Sequence, residues 1–283
     1  MASIEDLKGS VSGRRAFDDL VAAAIADIEE HGFDSQSRVD EWLAKLRIAA
    51  QRAMTPAREL EDLLNRSLRS IYAAQVDRGG LLKMTPGVPR YTIANVKPKL
   101  RRELDRRIMA SANLIKLNRQ ASIEKTLQRM SGWMSSVPAG GSDAVNRREV
   151  KADIKKALSQ LPYEERRVLI DQGHKLVATL SNIVAVDGGA IAGQWHSHFR
   201  QANYDYRPDH KERDNKVYAV RGSWAIERGL INKGDGYTDE MTAPGEEVFC
   251  RCFMTWFFAL RDLPGDMLTK DGKNELARVR AAA

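Results

Sequence analysis

The stretch that decides the fold class of this chain is "EVFCRCFMTW", residues 247–256. Its apolar residues follow the period of two that is typical of a strand, and "KVYAV" (216–220) repeats that period. From about residue 187 onward, glycines punctuate short segments, and tryptophan and tyrosine become frequent. These features predict a small α+β module with short antiparallel strands in the C-terminal part of the chain.

The residues before this module have the apolar spacing of amphipathic helices. Phe17, Val21, Ile25 and Ile28 fall on one face of the first such pattern. Further helical patterns cover about 37–54, 57–76, 99–130, 146–160 and 163–181. Three prolines predict a loop or a short extended segment at 81–98, and "SSVPAGGSD" (135–143) is the best linker candidate.

The predicted fold class is therefore α+β, with a largely α-helical N-terminal region followed by a small α+β C-terminal module. The expected divisions are a helical region (1–140), connecting helices (141–185), the α+β module (186–265) and a C-terminal tail (266–283). No stretch reaches the ~18 uninterrupted apolar residues of a membrane span. The N-terminal "MASIEDLKGSVSGRRAF" lacks the apolar core of a secretory signal, so we expect none.

The positive charge of the chain is concentrated in one segment. Residues 51–150 carry 19 Lys and Arg against 9 Asp and Glu, a net +10, whereas the whole chain carries +7. Such a stripe predicts contact with nucleic acid or an acidic protein face, and a solvated helix surface is the alternative. Within the basic segment 97–129, the expected contact residues are Lys97, Lys99, Arg101, Arg102, Arg106, Arg107, Lys116 and Arg119.

The two cysteines of the chain, Cys250 and Cys252, are separated only by Arg251. A disulfide between them is disfavoured because it would close a strained eight-atom ring, and two cysteines in a chain of this length fit a reducing cytoplasm. Together with His210 they form a candidate zinc site, since imidazole and thiolate are natural zinc ligands. The alternative is that both thiols only pack in the core.

A second candidate metal site lies in "GQWHSHFRQANYDYRPD", residues 193–209. It resembles the His-x-His core of JAMM-type zinc isopeptidases, with His196, His198 and Asp209 as the implied ligands. Phe199 and Tyr206 stand where that family has proline and serine, and the preceding segment offers no glutamate as general base. A zinc-dependent peptidase is therefore the alternative function.

Read in order, three motif elements resemble the phage Mu F-like head morphogenesis domain over about residues 165–262. They are Trp195, then Asp205-x-Arg207-x-x-His210, then Pro244-Gly-Glu-Glu-Val-Phe-Cys250-Arg251-Cys252. The resemblance implies a structural minor capsid protein of a tailed bacteriophage, with no enzymatic activity, that aids head assembly and early genome delivery.

The resemblance also implies where the protein acts and what it meets. The expected location is the virion, in the head interior or at the portal vertex, after synthesis in the host cytoplasm. The expected partners are the portal protein and other head proteins, with several copies of the chain in each particle. Contact with packaged double-stranded DNA would be non-specific, because nothing in the chain resembles a motif that reads bases.

Overall fold

The computed structural model describes residues 11–143 and 145–282. The first ten residues, which contribute to the expectation that no secretory signal is present, lie outside this range. Helices dominate the chain and are followed by a small three-stranded antiparallel sheet. The predicted α+β class, a helical N-terminal region followed by a small α+β module, is confirmed. Within the described part of the chain, no helix is long and apolar enough to cross a membrane.

The helices and strands follow one another in a simple order along the chain. They are α1 (Val11–His31), α2 (Gln36–Ala53), α3 (Ala57–Tyr72) with a π-helical continuation (Ala73–Asp77), α4 (Gly80–Met84), α5 (Arg90–Ser136), α6 (Arg147–Asp187), β1 (Ala192–His196), α7 (Pro208–Glu212), β2 (Val217–Ala219), α8 (Trp224–Glu227), β3 (Phe253–Phe257), a 3-10 turn (Leu260–Asp262) and α9 (Lys270–Ala282).

The chain divides into two compact units, and both are discontinuous in sequence. The helical unit comprises the described residues up to Ser67 together with Ile108–Leu169. The sheet unit comprises Leu68–Arg107 together with the described residues from Ile170 onward. The sequence predicts consecutive segments instead. The difference arises because the two long helices, α5 and α6, each contribute residues to both units.

Two prolines that predict helix ends lie inside these long helices. Helix α5 begins at Arg90 and continues through Pro98, and α6 continues through Pro162. The predicted loop at 81–98 is therefore confirmed only for residues 85–89, between α4 and α5, and the predicted break between 160 and 163 is wrong. A proline inside a helix costs about 3 kcal/mol, and here apolar side chains beside each proline are buried, among them Leu100 and Leu161.

The core of the helical unit includes the predicted apolar face of α1. Val21, Ile25 and Ile28 are fully buried against residues of α2, α5 and α6. The linker candidate 135–143 is held against the end of α1, because the Gly140 N–H donates to the His31 carbonyl at 3.1 Å. It is therefore a fixed connection between two helices.

The sheet has the strand order β2-β1-β3, and β1 pairs antiparallel with both neighbours. The predicted strand at 216–220 is confirmed as β2. The predicted strand at 247–256 begins only at Phe253, so the placement of Cys-Arg-Cys within a strand is wrong. Phe249 adopts a left-handed backbone conformation with φ 60°, which lies outside the extended region of regular strands. The two cysteines consequently lie in an irregular loop immediately before β3.

Candidate metal centre

Two separate segments bring one imidazole and two thiols together in the sheet unit. His210 lies on the short helix α7, whose first position is Pro208, and its side chain is 2 % exposed. Its Nδ1 atom lies 3.7 Å from the Cys250 sulfur and 3.6 Å from the Cys252 sulfur. The three ligand atoms all lie within 4.8 Å of one another. The residues expected to form a zinc site are thus adjacent.

These separations fit a tetrahedral metal site. With Zn–S near 2.3 Å and Zn–N near 2.0–2.1 Å, a tetrahedral angle places nitrogen and sulfur about 3.6 Å apart. Both nitrogen–sulfur distances agree with this value without any movement of the chain. The three side chains can therefore hold one zinc-sized ion.

The loop that carries the cysteines is fixed by hydrogen bonds from two other parts of the sheet unit. The buried carboxylate of Asp171 on α6 accepts a hydrogen bond from the Phe249 N–H at 2.7 Å. The Tyr204 hydroxyl donates to the Phe249 carbonyl at 3.3 Å and accepts from the Arg251 N–H at 3.2 Å. Sequence reasoning missed Asp171, which belongs to no recognisable motif, and Tyr204, which directly precedes the motif residue Asp205 without being part of the pattern.

The interaction between the two thiols shifts their pKa values in opposite directions. The Cys252 thiol donates to the Cys250 sulfur, and this bond lowers the pKa of Cys250 although burial acts in the opposite direction. The Gly245 N–H, 3.4 Å from the same sulfur, lowers this pKa further. The pKa of Cys252 is raised, first by its role as donor to Cys250 and then by burial.

The other ring nitrogen of His210 faces a carboxylate. Its Nε2 atom is buried, lacks a hydrogen bond to any described residue, and lies 3.4 Å from Glu247 Oε1. The second oxygen of Glu247 is ion-paired with Arg207 Nε at 2.5 Å, and Arg207 also donates to the Val248 carbonyl at 3.1 Å. The Trp195 ring packs edge-on against the imidazole, with 5.3 Å between ring centroids. A carboxylate behind a histidine is the usual support for a metal-binding imidazole.

A competing set of donors surrounds Nε2, formed by Asp209, His210 and Glu247. Both carboxylates already have a cationic partner, since Asp209 pairs with Arg213 at 2.9 Å and Glu247 pairs with Arg207. Asp209 is also half exposed, whereas both cysteines are buried. The thiol side of His210 is therefore the better metal site.

The remaining motif residues lie outside this cluster. Asp205 is exposed, and Arg251 points outward, with its guanidinium over the Tyr204 ring at 5.6 Å. The side chain of His196 stacks on Phe253 and shares a 3.0 Å hydrogen bond with the Thr255 hydroxyl.

The alternative zinc ligands expected from the JAMM resemblance are not gathered. Within residues 11–143 and 145–282, no group of close donor atoms contains His196, His198 and Asp209 together. Asp209 instead neighbours His210 and Glu247.

The basic contact residues predicted on α5 separate into two classes. Arg107 and Arg119 are largely buried and pair with Glu103 and Glu165, respectively. The others are exposed: Lys97, Lys99, Arg101, Arg102, Arg106 and Lys116. Two of the eight predicted contact residues, Arg107 and Arg119, therefore form largely buried ion pairs within their own units.

A cavity of about 440 Å³ opens beside the cysteines in the sheet unit. Both thiols form part of its wall, and His174 and His198 lie elsewhere on it. Most of the remaining lining is apolar and includes Trp256. Such a cavity admits a small molecule or several waters.

No family model, no curated protein and no solved structure matches this chain. Function is therefore inferred from the cluster around His210 and from the motif residues that form it.

Proposed function

We propose that this chain is a structural minor head protein of a tailed bacteriophage, associated with the portal or the capsid interior. The observation that carries the proposal is the convergence of separate motif elements on one buried cluster. Trp195 contacts the His210 ring, and His210 lies against Cys250 and Cys252. The motif residues that resemble the phage Mu F-like domain therefore largely meet in space.

Contact among motif residues supports a shared structural purpose. Arg207 orients Glu247, and Glu247 faces the ring nitrogen of His210 that points away from the thiols. A chance match to a short pattern would leave its members scattered over the surface. Here the pattern Arg207-x-x-His210 and the Cys-Arg-Cys loop form the two halves of one site, which is what the centre of a small module requires.

The exposed basic residues on α5 support a second part of the proposal. In the sheet unit, Lys97, Lys99, Arg101 and Arg102 lie within two turns of one helix and are exposed. We expect them to contact DNA phosphates or an acidic portal surface. Such contacts carry no base selection and weaken as salt increases.

The test is quantitative mass spectrometry of purified phage particles, with portal protein as the internal standard. We expect the chain at a fixed, low ratio to portal. A His210→Ala phage should incorporate less of the chain, while a His196→Ala phage, altered outside the cluster, should incorporate the normal amount. Absence of the chain from both mature particles and empty precursors would remove the head-protein proposal.

A further inference from the structure

We infer that His210, Cys250 and Cys252 bind one Zn²⁺ ion and that an exchangeable water in the adjoining cavity supplies the fourth ligand. The inference goes beyond the proposed function and does not depend on it. It rests on the donor set, on the buried Nε2 atom of His210, which has no hydrogen-bond partner among the described residues, and on the position of the thiols in the cavity wall.

The donor set selects the metal. Two thiolates and one imidazole are soft-to-borderline ligands, which favour zinc over the oxygen-seeking cations magnesium and calcium. Both nitrogen–sulfur distances are those of a tetrahedral site. The Gly245 N–H also points at the sulfur of Cys250, and such a donor stabilises a thiolate. The cluster is therefore built to carry negative charge on sulfur.

The second ring nitrogen of His210 independently indicates a metal ligand. Nε2 belongs to a side chain that is 2 % exposed, and it has no hydrogen-bond partner among the described residues. When Nδ1 binds a cation, the proton resides on Nε2 and points toward Glu247, 3.4 Å away. A small movement of the Glu247 carboxylate toward Nε2 completes the carboxylate–histidine–metal arrangement, in which Arg207 holds the carboxylate.

The fourth position is open on the cavity side. Among the described residues, no other histidine, cysteine or carboxylate joins the three ligand atoms within the same distance. Both cysteines line the 440 Å³ cavity, so a donor can reach the ion from there. Two thiolates and a neutral imidazole balance the charge of Zn²⁺. The site therefore needs no anion as fourth ligand, and a neutral donor such as water or imidazole completes it.

The first experiment measures the metal content of the purified full-length protein by mass spectrometry after exhaustive dialysis. We expect one zinc per chain, a loss of most of it in Cys250→Ser and His210→Ala, and full retention in the matched variant His196→Ala, whose imidazole lies outside both the cluster and the cavity wall. A wild-type protein without zinc would overturn the inference. So would retention in Cys250→Ser combined with loss in His196→Ala, which is the pattern of the alternative JAMM-like site.

A second measurement does not depend on whether these variants fold. Cobalt(II) is exchanged into the wild-type protein, and its absorption spectrum is recorded before and after addition of imidazole. We expect sulfur-to-cobalt charge-transfer bands, intense tetrahedral visible bands, and a shift of the visible bands with imidazole but not with chloride. Weak bands of six-coordinate cobalt would contradict the donor set. An unchanged spectrum at saturating imidazole would contradict the open position.

Discussion

The buried ion pair between Arg119 and Glu165 offers a direct test of how the helical unit is held together. Arg119 lies in the basic segment and is a predicted nucleic-acid contact. Its Nε atom lies 2.5 Å from Glu165 Oε1, and its Nη1 atom donates to the Thr55 carbonyl at 2.7 Å. The side chains are only 11 % and 3 % exposed. We therefore expect Arg119 to determine stability and to contribute little to binding.

The size of the effect follows from this burial. Replacing Arg119 with Gln leaves the Glu165 carboxylate in the interior without its cation, and breaking a buried pair in this way costs about 3–5 kcal/mol. Replacing both residues, as Arg119→Met with Glu165→Leu, removes the unpaired charge together with its partner. The double variant should therefore lose less stability than Arg119→Gln.

Urea denaturation followed by circular dichroism measures these differences. The matched control is Arg47→Gln, which breaks an ion pair with Glu124 in the same unit. Both side chains of that pair are nearly half exposed, so its loss should leave the free energy of unfolding almost unchanged. If Arg119→Gln is as mild as the control, the pair does not hold the unit together.

Three further changes test other parts of the chain. The double change Arg101→Glu and Arg102→Glu should weaken binding to all DNA sequences alike and reduce the salt-dependence slope by about 2, as measured by fluorescence anisotropy at several salt concentrations; equal affinity at every concentration would contradict it. Glu247→Gln should weaken zinc binding about 10–100-fold in a chelator competition, because it withdraws the carboxylate behind the imidazole; unchanged affinity would mean that the carboxylate does not support the site. Gly32→Ala should lower the free energy of unfolding by about 1–3 kcal/mol, since φ is +69° and the added Cβ would lie 1.9 Å from a backbone oxygen. Gly140→Ala, also at positive φ but with open space around it, should lower it less, and equal losses would contradict the steric reason.

The fold class could be predicted because the periodic segments are long and regular. The apolar face of α1 and the strand β2 are both present where the pattern placed them. The prolines wrongly predicted helix ends because the free-energy cost of a proline is local, whereas the burial of apolar side chains stabilises each helix along its whole length. Pro98 and Pro162 each remove one backbone hydrogen bond from a helix of more than 40 residues.

The candidate ligands of the metal site could be predicted from the sequence. The residues that hold the cysteine loop in place could not. His210, Cys250 and Cys252 stand out because imidazole and thiolate are natural zinc ligands. Tyr204 and Asp171 act through backbone groups of the cysteine loop. Such contacts depend on the path of the main chain and leave no pattern of residue types. These contacts can be recognised only when the three-dimensional path of the loop is known.

The backbone path of this loop explains how two cysteines separated by one residue can both face His210. In a strand, Cys250 and Cys252 would share one face, and their distance from His210 would depend on the register of the sheet. The turn at Phe249 instead places both sulfurs toward the imidazole while Arg251 lies outside over Tyr204. Because Asp171 and Tyr204 hold the same turn, contacts within the protein itself fix the position of the cysteine loop. Metal binding to such a prearranged site needs little further ordering of the chain, so the ion should stabilise the sheet unit and should not be required for it to fold.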